Sequence, residues 1–210
     1  MNAWDLSLLH QINTVWSHPV LDWLMPALSA IEAWLPLIIA AVLITAWRGS
    51  KRTRVMLLCL GVAIGLGDGV ISNTLKKTIG RVRPRDAMEG VIVRDLGIAS
   101  PAFIRLFETP VVKPCEPNGD TRGKSLPSSH TVNLFAAATV IASFYRRAGM
   151  LMYLLAAAVA YSRVYCGAHW PSDIPPSVAL GVLVGLGVVS LSNRMSRRQP
   201  SAHGTEEKKE

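Results

Sequence analysis

An all-α, polytopic transmembrane helical bundle of about five to six spans is the fold this sequence predicts, and three observations carry the prediction. Half of the 210 residues are hydrophobic and only 17% are charged, and the mean hydropathy is +0.31, as in chains that bury apolar surface in lipid. The apolar residues come in runs close to the ~20 residues an α-helix needs to cross a bilayer. The cations behind the net charge of +8 sit in short clusters between those runs. That spacing suits membrane borders and argues against nucleic acid as a partner, which asks for a continuous basic face.

Taken in order, the first 47 residues hold neither Lys nor Arg, so the basic opening of a cleaved signal peptide is missing and the N-terminus is expected to persist. Residues 3–17 place apolar and polar positions at helical spacing, with Trp4 and Trp16 suited to an interface, and read as a helix lying on the membrane. Residues 20–47 carry Asp22, Pro26, Glu32 and Pro36. They read either as one kinked span or, preferably, as a shallow helix followed by a span from about Ala33. His10, His18, Asp22 and Glu32 match no partner pattern and read as interfacial or solvated polar residues. A basic turn, Arg48, Lys51, Arg52 and Arg54, precedes a span over residues 55–75. Asp68 inside that span has to face protein; with Asn73 it either supports a site or serves packing.

Residues 76–127 are a long polar loop punctuated by Pro101, Pro110, Pro114, Pro117 and Gly119, in which Phe103, Ile104, Leu106 and Phe107 form a lipid-facing cap. Further spans are expected over residues 129–145, 149–164 and 174–191, with Gly181, Gly185 and Gly187 letting backbones approach. The organisation is thus interfacial helices at 1–32, a membrane domain at 33–193 and a disordered cytoplasmic tail at 194–210. The Arg48–Arg54 turn, Arg146 with Arg147, and Arg194, Arg197 and Arg198 fall on one side, which is the cytoplasmic one because short loops rich in Lys and Arg stay inside. The long loop then faces outward. Of three cysteines, Cys59 lies in a span, while Cys115 and Cys166 share the outer side and either pair there or stand as separate thiols. Their spacing suggests no metal site.

Three polar elements interrupt this apolar pattern at the outer ends of successive spans: Lys76 with Arg83-Pro84, Pro127-Ser128-Ser129-His130, and Ser162-Arg163 followed by His169 and Asp173. A neutral imidazole is a nucleophile, and a carboxylate four residues on can accept its other ring N–H and fix the tautomer. Pro171 suits a first helical turn, so His169 is expected to end a loop and Asp173 to begin the next helix. Lys76 and Arg83 lie seven residues apart, about two helical turns, so both face one way if the helix continues. With Arg163 they offer three cations to a phosphate group and to the charge its oxygens develop in transfer. Ser128 precedes an apolar helix as a cap, and first-turn N–H groups favour an anion. His130 is then placed to protonate a leaving oxygen. Each part alone has an ordinary explanation, a helix cap, a helix end or a snorkelling arginine; three on one membrane face point to one phosphoryl-transfer site.

These three elements resemble the three-part signature of the type 2 phosphatidic acid phosphatase (PAP2) superfamily, which also contains vanadium haloperoxidases, and the resemblance covers residues from about 55 to 190. It implies a membrane lipid phosphatase of the bacterial branch, acting on a lipid phosphate or pyrophosphate of the undecaprenyl pyrophosphate, phosphatidylglycerophosphate, phosphatidic acid or lipid A type. His169 is then the nucleophile, Asp173 its partner and His130 the acid, with Lys76, Arg83, Arg163, Ser128 and Ser129 binding phosphate. No cofactor or metal is implied. The expected partners are the bilayer and a lipid phosphate, at the outer face of the cytoplasmic membrane. Ser129 stands where the family pattern commonly has glycine. A lipid phosphotransferase of the same fold, a vanadate-dependent haloperoxidase and a non-catalytic lipid-binding membrane protein are the alternatives.

Overall fold

The computed structural model describes residues 3–116 and 123–198. Helix α1 (Ala3–His10) runs into a π-helical turn, Gln11–Val15, and α2 (Pro19–Ser29) follows. The ring of His18 caps α2 by accepting from the Val20 N–H, and Pro19 occupies its first turn. Ala30 leaves helical geometry, with φ −90° and ψ 72°, and α3 (Ile31–Arg48) starts beyond it. Two helices broken at Ala30, in place of one kinked helix, are therefore what forms. Ser50 caps α4 (Lys51–Ile64), whose axis continues through a π-helical stretch, Gly65–Ser72, into α5 (Asn73–Ile79). Gly80, at φ +62°, ends α5 in the left-handed conformation glycine adopts most readily.

The short α6 (Pro84–Ala87) comes next, and the long loop then forms an antiparallel pair, β1 (Ile92–Asp95) with β2 (Val111–Pro114), in which Ile92 faces Pro114 and Asp95 faces Val111. A 3-10 turn, Ala102–Phe107, lies between the strands. Helix α7 (Ser129–Phe144), α8 (Arg146–Tyr165), a 3-10 turn Pro171–Asp173 and α9 (Ile174–Arg198) complete the described chain.

Among the described residues four stretches are long and apolar enough to cross a membrane: Ile31–Arg48, Lys51–Ala87, Arg146–Tyr165 and Pro171–Arg197. The shorter apolar helix α7 is packed by α4, α8 and α9, with Val132, Ala136, Ala138 and Val140 fully buried. This is the all-helical multi-pass bundle the composition predicts. On α3, Leu35, Leu37, Ile39, Leu43 and Ile44 are all exposed, and a helix with so bare an apolar surface faces lipid. Close crossings depend on small residues. A Cβ on Gly181 would lie 2.4 Å from the Val132 carbonyl oxygen, and one on Gly149 would lie 2.2 Å from Cα of Ala142. Gly187 meets nothing within 4 Å, so the close approach expected at three glycines of α9 does not extend to it.

Several expectations change. The N-terminal helix is packed into the protein: Leu9 and, in the turn that follows, Ile12 join Tyr165, Cys166 and Trp170 in one buried cluster. Asp22 is no solvated residue. It accepts from the Tyr165 hydroxyl at 2.6 Å and pairs with buried Arg94. Two strands form in the loop read as irregular, since 92–95 and 111–114 are short β-rich runs that a helical reading passes over. Of the cap, Leu106 packs against the cluster of Ala27, Ala33 and Leu96, while Phe107 stays 85% exposed. Cys59, Cys115 and Cys166 are all free thiols. Helix α9 runs to Arg198, through the beginning of the expected tail; residues 199–210, Pro117 and Gly119 lie outside the described residues.

Candidate active site

The loop between α8 and α9 is built by its own backbone. Ala168 and His169 both donate to the Arg163 carbonyl, at 2.9 and 3.2 Å, and Gly167 at φ +69° makes the reversal. Elements distant in sequence hold this loop in place. The Asn13 side chain donates to Tyr165 O and Ile92 O at 2.8 Å, and the Trp170 indole donates to Val82 O at 2.8 Å. Arg85 N–H donates to Gly167 O at 3.2 Å. His169, 2% exposed, is thereby fixed beside Asp173, which is fully buried at the end of the 3-10 turn leading into α9.

Asp173 is the hub. Its Oδ2 accepts from the Trp170 N–H at 2.9 Å and from the Ser125 hydroxyl, and its Oδ1 pairs with Arg81. Nδ1 of His169 stands 3.7 Å from Asp173 Oδ2 and has no other partner. That separation exceeds a hydrogen bond. Burial, outweighing the pull of the Asp173 carboxylate, pushes the His169 imidazole down to about 4. Burial thus keeps the ring neutral at neutral pH. The linkage has a definite sign: between pH 6.5 and 4 the unfolded imidazole binds the proton and the folded one does not, so the buried ring costs stability progressively as pH falls through that window. Relative to His169→Gln, the protein is expected to lose about 3 kcal/mol over the window, since each tenfold difference in proton affinity corresponds to ~1.4 kcal/mol. Parallel unfolding curves for the two proteins between pH 7 and 4 contradict this.

The three cations arrive by separate routes. Lys76 lies in the last turn of α5, whereas Arg83 lies beyond Gly80 in extended backbone as the cap of α6, so the continuous helix expected to align them does not form. Gly80 in the left-handed conformation and Pro84 both stop it. Lys76 Nζ donates to the Ser129 hydroxyl at 2.5 Å, a contact glycine at that position does not offer. Lys76, Arg83 and Arg163 are close enough for their charges to act on one another, and those of Lys76 and Arg163 reach His130 in the first turn of α7. Asp68 reaches Lys76 and His130 as well, whereas Asn73 is exposed and donates back to Gly69 O at 3.3 Å. Among the described residues none of these three cations forms an ion pair; the arginine pairs there belong to Arg81, Arg94 and Arg105. Nε of Arg83 and of Arg163 are buried without a partner. Desolvated N–H donors of this kind carry a large cost unless an anion takes them up.

Ser128 is at the cap position of α7, but its hydroxyl accepts from Thr131 at 3.0 Å and its N–H donates to Ser177 at 2.9 Å. It orders the turn from which Ser129 and His130 project. Among the described residues no three His, Cys, Asp or Glu side chains gather to hold a metal. Sequence reasoning missed Arg81, Ser125 and Asp5. Arg81 bridges Asp173 to Asp5, which also accepts from Ser172 N–H at 2.9 Å and from the Ser172 hydroxyl at 2.6 Å. Asp5 is buried on the same face as Leu9, one turn on, in a helix without an apolar stripe, so no periodic signal marked it.

Known proteins resemble this chain in sequence and in fold. The family model described as the PAP2 superfamily matches residues 54–197. The bacitracin transport permease protein BcrC of Bacillus licheniformis is 38% identical over 72 residues, 34% of this chain and 36% of the relative. A lipid A 4'-phosphatase of Porphyromonas gingivalis is 27% identical over 174 residues, 80% of this chain and 64% of the relative. The chain thus spans less than two thirds of the length of these two relatives. The crystal structure of Aquifex aeolicus LpxE superposes with a TM-score of 0.63 over 90% of this chain and 96% of that one, at 20% identity.

Proposed function

The chain belongs to the PAP2 superfamily, and from that premise we propose that it is a membrane phosphatase that hydrolyses a lipid phosphate or pyrophosphate through a phosphohistidine. The observation that carries this reading is the set of three unpaired cations, Lys76, Arg83 and Arg163, around two histidines of which one is backed by a buried carboxylate. In the first step His169 attacks phosphorus, the P–O bond to the lipid breaks, and His130 gives a proton to the leaving oxygen. Asp173 takes up the charge that His169 develops. In the second step His130 removes a proton from water, which attacks the phosphohistidine and frees inorganic phosphate. Lys76, Arg83 and Arg163 hold the non-bridging oxygens throughout.

The reaction centre lies at the ends of the helices opposite the basic turn at Arg48–Arg54 and opposite Arg146 and Arg147. The positive-inside rule therefore supports a site at the outer face of a cytoplasmic membrane. The purified protein in detergent micelles is expected to release inorganic phosphate from at least one of undecaprenyl pyrophosphate, phosphatidylglycerophosphate, phosphatidic acid and lipid A. Silence across that panel removes the reading. Arg163→Lys keeps the charge and loses the planar fork that meets two oxygens at once, so kcat/KM is expected to fall by ~10²-fold. A lysine variant within about threefold of wild type contradicts bidentate binding.

A further inference from the structure

Further cations lie beside the reaction centre, around a cavity that the hydrolysis at His169 uses only through His130 and Arg163. A cavity of about 270 Å³ opens between the α2–α3 junction and the β1–β2 segment, and His130 and Arg163 form part of its wall. His169, Lys76 and Arg83 do not line it. Its other charged walls are Arg85, Arg94, Arg105, Glu32 and Asp95, so four arginines face two carboxylates.

Their commitments differ. Arg94 is spent on Asp22 and Ser17. Arg105 donates to Ala99 O at 2.7 Å and stands 4.0 Å from Glu32, whose side chain is 82% exposed. Asp95 is exposed and accepts from its neighbour Leu96 N–H. Arg85 has its backbone tied at both ends, to Gly167 O and by the Cys115 thiol donating to its carbonyl. Among the described residues its guanidinium has no hydrogen-bond or ion-pair partner.

In an in-line displacement the nucleophile and the leaving oxygen stand on opposite sides of phosphorus. A cavity walled by the acid His130 and not by the nucleophile His169 is therefore on the leaving-group side. We propose that this cavity binds a second phosphate on the leaving group, held by Arg85 and Arg105 together with Arg163, so that the substrate is a lipid diphosphate. The proposal rests on the hydrolase reading. His169 bonds to the terminal phosphorus as the bridging P–O bond breaks. The electron pair stays on the bridging oxygen, which accepts the proton of His130 and departs as a lipid monophosphate; water then releases inorganic phosphate from the histidine. A leaving phosphate, with a second pKa of ~6, needs less proton assistance than an alcohol and more charge stabilisation, which arginines provide.

The experiment compares kcat/KM for one polyprenyl chain carrying a diphosphate or a monophosphate, using wild type, Arg85→Ala, Arg85→Lys and Arg105→Ala in mixed micelles. Wild type is expected to prefer the diphosphate. Arg85→Ala is expected to lower the diphosphate-to-monophosphate ratio by about tenfold, with Arg85→Lys recovering part of it. A ratio that is unchanged in both alanine variants overturns the subsite while leaving hydrolysis standing. If wild type turns over neither lipid, the hydrolase reading fails instead, and binding decides the subsite. Inorganic pyrophosphate is expected to raise the melting temperature of His169→Ala protein more than inorganic phosphate does, and adding Arg85→Ala is expected to remove the difference. Equal shifts with the two anions overturn the proposal.

Discussion

Replacing His169 with alanine is expected to reduce phosphate release by ~10⁴-fold or more, because the covalent path is lost and only binding and electrostatic help remain. The ring is buried against Asp173, so truncation leaves a void beside a carboxylate that keeps Arg81, Ser125 and the Trp170 N–H. His169→Gln keeps most of the volume and is the control for folding. The intermediate supplies the second readout. Wild-type protein mixed with labelled lipid phosphate and quenched within one turnover is expected to carry label that survives base and is lost in acid, as a phosphorus–nitrogen bond behaves. Neither His169 variant should carry it. Asp173→Asn is the intermediate case, with a loss of ~10²–10⁴-fold, since a side-chain amide cannot answer the charge that forms on the imidazole. Label retained by His169→Gln moves the nucleophile to another residue.

What the sequence revealed and what it concealed divide along physical lines. Apolar runs near spanning length are set by the thickness of a bilayer, so the helices around α7 were legible to within a few residues from hydropathy alone. Lys76, His130, Arg163 and His169 were legible because charged and imidazole side chains at the ends of apolar helices are costly to place there without a purpose. The route taken by Arg83 was not. Whether Gly80 sits inside a helix or stops one depends on the return of residues 123–125, where the Ser125 N–H donates to Arg81 O and a Cβ on Gly123 would overlap the backbone of Gly80. No local propensity encodes that contact. Asn13, Asp22 and Arg94 were hidden for a related reason: their partners Tyr165 and Ile92 are more than 70 residues away or belong to a strand the helical periodicity does not announce.

Arg81 offers the test of how far that hidden network carries the chemistry. Its guanidinium serves two carboxylates, Asp173 at 0% and Asp5 at 1% side-chain exposure, and stacks 5.5 Å from the centre of the Trp170 ring. With Arg81→Met each carboxylate keeps neutral donors, Trp170 N–H and Ser125 for Asp173 and the two groups of Ser172 for Asp5, but neither keeps a cation. Removing one partner from a buried pair strands the other's charge, and a loss of about 3 kcal/mol is expected. Arg81→Lys is expected to recover part of this, because one ammonium cannot bridge both carboxylates as a fork does. The double variant Asp5→Asn/Arg81→Met removes one stranded charge and should regain stability without regaining rate. With its guanidinium committed to Asp5, Asp173 and Ser172, Arg81 is expected to act as a positioning residue. In the folded, monodisperse fraction of Arg81→Met, kcat should therefore fall by ~10²-fold while KM stays within a few-fold, the signature of an interaction lost mainly in the transition state. Wild-type kcat in that fraction reduces Arg81 to a structural clamp between α1 and α9. A raised KM at unchanged kcat instead makes it a phosphate ligand, which moves the edge of the anion site two residues towards α5.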